Sequence, residues 1–65
     1  MNWFRRRRAR SRLLAELLAV EATHLDLSHA YGIGRLTRAE FWPAAAVLEI
    51  RAGRIRTELD VLEEA

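Results

Sequence analysis

Apolar residues recur at helical spacing through the first third of the chain. Leu14, Leu17, Leu18 and Leu25 follow one another in steps that a 3.6-residue period brings to one side, with Ala15, Ala19 and Ala22 as good helix formers between them. The pattern predicts an amphipathic helix ending near residue 22 and starting near residue 2 or 11. Arg12 and Glu16 stand four apart and can pair weakly on its outer side. A shorter helix is expected over about 25–31, capped by Thr23 or Asp26 and contributing Leu25, Leu27 and Ala30, with Ile33 as a further candidate contact. Gly32 and Gly34 then mark a turn.

The third segment carries the sharpest local signals. Thr37 and Glu40 have the spacing of a capping box, and Leu36 and Phe41 that of a hydrophobic staple. Both place a helix start at Thr37, and the helix is expected to run to about Ala52, with Gly53 as its stop. Pro43 falls inside that span and predicts a kink. Beyond it, Ile55, Thr57, Leu59 and Val61 alternate with Arg54, Arg56, Glu58 and Asp60, which suits a half-buried strand. Ile55, Leu59 and Leu62 suit a helix equally well. A lone strand needs a partner, so residues 54–61 read as a strand paired elsewhere or as a further helix.

With 65 residues and no cysteine, the chain makes one small domain with a marginal core and no disulfide or thiolate metal site. The expected layout is a basic arm over 1–10 and a single helical domain over 11–65, mainly α, with a three-helix helix-turn-helix core. Self-association, as a homodimer or with another protein, is expected to complete so small a core. No stretch approaches the roughly 20 apolar residues of a membrane span. Arg5 to Arg8 followed by Leu13 to Val20 has the outline of a secretory signal, but Glu16 interrupts the short apolar run. The expected compartment is the cytoplasm.

Charge is divided unevenly. Residues 1–12 hold six arginines and no acid, while the remainder holds five arginines against nine acids. Such a head points to phosphate or anionic lipid. The guanidinium fork matches phosphate oxygens, although coding bias explains the lack of lysine as readily. Three helices with a capped third make a helix-turn-helix plan, in which the third helix meets base edges in the major groove. The candidate DNA-binding residues are Arg5, Arg6, Arg7 and Arg8 in the arm, with Arg35, Thr37, Arg38, Glu40 and Trp42 at the recognition helix. Arg38 could read a guanine, Glu40 a cytosine amine, and the amides behind Thr37 a phosphate.

Phe41, Trp42, Pro43 and Ala44, followed by Leu48 and Glu49 and then Gly53, Arg54 and Ile55, resemble the recognition helix and first wing strand of PadR-type winged-helix regulators. Leu36, Thr37, Arg38 and Ala39 resemble the turn before that helix. The likeness covers about residues 24–60 and implies a winged helix with its wing cut short, a role in transcription regulation, and a dimer. The chain is also similar to small phage repressors and excisionases.

Other chemistry is thin. His24 and His29 are five apart and share no helix face, so no metal site is expected. Asp26, Ser28 and His29 are too close in sequence for a triad, and the chain is too small for a cleft, so neither enzyme activity nor a cofactor is expected. Trp3 and Phe4 ahead of the arginines leave an alternative open: a membrane-surface anchor carrying a partner-binding or assembly unit.

Overall fold

The computed structural model describes residues 3–64. It contains two long helices, α1 (Trp3–Gly32) and α2 (Arg38–Glu64), folded back on each other as an antiparallel hairpin. At about 1.5 Å per residue, α1 alone accounts for most of the 48 Å length of the molecule.

The seam between the helices follows a heptad spacing. On α1 it runs through Leu13, Leu17, Val20, His24, Leu27 and Tyr31. On α2 it runs through Phe41, Ala45, Leu48, Ala52, Ile55, Leu59 and Leu62. Leu13, Val20, Ala52, Ile55 and Leu59 form the buried centre, with Leu17, Leu48 and Leu62 packed against it. Alternating steps of three and four keep the stripe facing the partner helix, as in a two-stranded coiled coil.

The three-helix winged core is therefore overturned, and each departure has a local cause. No separate helix starts at residue 25. Thr23 donates its hydroxyl to the Ala19 carbonyl (2.9 Å) rather than capping a new helix, and α1 continues through Asp26. Gly53 does not stop α2, because Ala52, Ile55 and Leu59 on either side of it are buried against α1. That burial outweighs the roughly 1 kcal/mol that a mid-helix glycine costs. The same packing settles residues 54–61: they are helical, and no strand occurs among the described residues. The alternation of Ile55 with Thr57 and Leu59 with Val61 arose because α2 is apolar on two sides. Pro43 lies within α2 without ending it.

The turn keeps its predicted chemistry. Gly34 adopts φ 81°, and the amides of Gly34 and Arg35 donate to the carbonyls of Tyr31 and Ala30 at 3.1 and 2.8 Å. This is the glycine-dependent Schellman closure of a helix. Tyr31 stacks on Phe41 at 4.4 Å between ring centroids and clamps the two helix ends together.

Candidate nucleic-acid interface

The capping box at the start of α2 forms as expected. The Thr37 amide donates to Glu40 Oε1 at 2.9 Å, and the Glu40 amide donates to Thr37 Oγ1 at 3.2 Å. The Thr37 backbone bond, then its hydroxyl, hold the Glu40 carboxyl below its ordinary range. Phe41 is buried and Leu36 half-buried. Trp42 is exposed and meets Phe41 edge-on at 5.4 Å. Arg35 and Arg38 are exposed, with no carboxylate in ion-pair range among the described residues.

The arginine-rich segment is at the other end of the molecule. Residues 3–10 are the first turns of α1 rather than a separate arm; Met1 and Asn2, the rest of the expected arm, lie outside the described residues. Two contacts across the seam mark the register, one between a histidine and a glutamate and one between an arginine and a glutamate. His24 Nε2 lies 3.8 Å from Glu49 Oε1, and Arg56 lies 3.8 Å from Glu21. Residues at one height thus have numbers adding to about 75, which places Glu64 level with residue 11. The turns of α1 before that point project past the last described turn of α2. The arginine stub and Arg38 are separated by about 40 Å of helix, at 1.5 Å per residue. The candidate residues therefore form two groups that cannot grip the same few base pairs.

At about 100° per residue, Arg5, Arg6, Arg7, Arg8, Arg10 and Arg12 are distributed around the whole circumference of α1, with no gap wider than about 100°. Arg12 pairs loosely with Glu16, as the spacing suggested, at 3.9 Å and with both side chains exposed. Arg5, Arg6, Arg8 and Arg10 have no carboxylate within ion-pair distance among the described residues. Arg6 is half-buried, and its Nε donor has no acceptor. The guanidinium of Arg7 lies 5.3 Å from the Trp3 ring centroid, and Trp3 meets Phe4 edge-on at 5.0 Å. Arg7 therefore places a cation over the Trp3 side of this aromatic pair.

At this end the basic start of α1 lies beside the acidic end of α2, and the two attract, while each opposes the dipole of its own helix. The first turn of α1 has no acid and the last turn of α2 has no base. Both charge patterns oppose the helix macrodipole, which favours acids at a helix start and bases at its end.

His24 is the side chain whose role the sequence hid. It occupies a seam position, half-buried, with Nδ1 3.5 Å from Ser28 Oγ and Nε2 facing Glu49. Its spacing of seven from Leu17 and from Tyr31 was the available signal. No group of three or more metal-ligating residues occurs among the described residues, and no described helix is long and apolar enough to cross a membrane.

The chain matches no protein-family model, and no curated protein or solved structure matches it significantly. The residues that resemble the PadR recognition helix and wing all lie within the single helix α2.

Proposed function

We propose that this protein is a helical-hairpin DNA-binding module that grips the phosphate backbone through the arginine-rich start of α1, without reading base sequence. The observation that carries this reading is the placing of five arginines, Arg5, Arg6, Arg7, Arg8 and Arg10, around a helical stub that extends past the last described turn of its partner helix. A helix about 10 Å across fits a major groove about 12 Å wide, where phosphates line both walls. Arginines on every side serve such a site, because each wall meets guanidinium groups. A membrane surface asks for an apolar face free of charge, and here the Arg7 guanidinium sits over the Trp3 ring at 5.3 Å. The arginines also oppose the macrodipole of α1, which a bound polyanion offsets.

The residues Arg35, Thr37, Arg38, Glu40 and Trp42 take no part in this grip. Glu40 is committed to the cap, and its carboxylate repels phosphate. The cap and the stub are at opposite ends of the hairpin.

Fluorescence anisotropy with random duplex DNA at several salt concentrations tests the proposal. Counterion release from about five contacts predicts that affinity falls with salt at a log–log slope of about −4.5. Changing Arg5, Arg6, Arg7 and Arg8 together to Gln should flatten that slope by about 3 to 4 and lower low-salt affinity by at least about 100-fold. A shallow slope in the unmodified protein, with tight binding to anionic vesicles instead, would replace DNA with a membrane surface.

A further inference from the structure

Both helices carry a second apolar stripe that the hairpin does not use. On α1, Leu14, Leu18, Ala22 and Leu25 fall within an arc of about 80° turned away from the seam, and Leu18 and Leu25 are 67% and 70% exposed. On α2, Ile50, Gly53, Thr57 and Val61 fall within a similar arc on its outer side, with Ile50 65% exposed. A helix that is apolar on opposite sides is built to be buried on both.

The two stripes match each other in height. Within the hairpin, level residues have numbers adding to about 75. Leu14 with Val61, Leu18 with Thr57, Ala22 with Gly53, and Leu25 with Ile50 obey the same rule. If a second copy lies alongside the first, related by rotation about an axis parallel to the helices, heights are preserved. The α1 stripe of one copy then meets the α2 stripe of the next in four layers. Ala22 against Gly53 lets the backbones approach closely, and a Cβ added at Gly53 would meet nothing within its own chain.

Charge agrees with this pairing. Asp26 of one copy comes level with Arg51 of the next, and Arg10 with Glu64. All four side chains are exposed and have no ion-pair partner among the described residues of their own chain. We infer that a second copy of this chain docks head-to-tail, the α1 stripe of each molecule covering the α2 stripe of its neighbour. Such a contact uses different surfaces on the two partners, so association continues to a closed ring or a filament. The inference shares only Arg10 with the DNA reading, since Arg5, Arg6, Arg7 and Arg8 lie outside the interface.

Sedimentation velocity without nucleic acid tests it. At about 100 µM, enough to populate a micromolar contact, the unmodified protein should sediment as species larger than a monomer. Leu18→Glu and Ile50→Glu each remove one stripe and should each give monomers with unchanged helical circular dichroism. Mixed together they should form a dimer and nothing larger, because each retains the stripe the other has lost. Asp26→Arg and Arg51→Asp should each weaken association, and the double variant should restore it. An unmodified protein that is monomeric throughout overturns the inference. So does a mixture of the two Glu variants that remains monomeric, or a double charge swap weaker than both singles.

Discussion

The two ends of the hairpin follow opposite rules. At the closed end, every local choice agrees with the fold. Gly34 supplies the positive φ, Thr37 and Glu40 satisfy each other's amides, and Tyr31 stacks on Phe41. At the open end, local choices conflict with it. Arginines crowd a helix start and Glu58, Asp60, Glu63 and Glu64 crowd a helix end, each against the macrodipole, and Arg5, Arg6, Arg8 and Arg10 have no ion-pair partner among the described residues. Natural sequences tend to break local rules where function demands it. The closed end holds the hairpin together, and the open end is where a ligand has something to relieve.

Substitutions can break that contrast, and the largest stability effects belong at the turn. Gly34→Ala forces a side chain into left-handed backbone and should lower stability by about 1–2 kcal/mol in a thermal or urea melt. DNA affinity at a temperature where the variant is folded should not change. Thr37→Ala removes one side of the capping box and should cost about 1 kcal/mol, again without effect on DNA. Arg5→Glu should act with the opposite sign on the two properties. It places an acid in the first turns of α1 and should raise stability by about 0.3–1 kcal/mol at low salt, while weakening DNA binding.

The smallest effect concerns pH. Glu40 has a lowered pKa in the folded protein, so its contribution is present above the unfolded value of 4.5 and is lost as pH falls through the lower folded value. Glu40→Gln should flatten the part of the acid stability profile just below pH 4.5 that belongs to this group. A profile identical to that of the unmodified protein would show that the Thr37 bonds are too weak in solution to matter.

The closed end was legible in the sequence because its signals are short-range. Two glycines, a threonine and a glutamate at fixed offsets specify a turn and a cap whatever surrounds them. The seam was harder to read because α1 offers two apolar stripes. Leu14, Leu17, Leu18 and Leu25 stand out at helical spacing, yet of these only Leu17 faces α2, where it joins Leu13, Val20 and His24 in the seam. Nothing local distinguishes the stripe that faces α2. On α2 the same doubling made residues 54–61 look alternating, and Gly53 looked like a stop because the tertiary burial that carries the helix past it is invisible in the sequence. The six arginines were plain from the start. That they belong to a continuous helix, about 40 Å from Arg38, required the structure.

Amide hydrogen exchange, with and without a random DNA duplex, tests the division of labour most directly. In the free protein, amides of residues 6–12 should exchange much faster than those of the seam around Val20 and Ile55. Adding duplex should slow exchange over residues 6–12 by at least about tenfold, corresponding to about 1.4 kcal/mol of helix stabilisation, and leave residues 35–42 unchanged. Protection that appears at 35–42 while residues 6–12 continue to exchange freely would contradict the account and move the DNA contact to the start of α2.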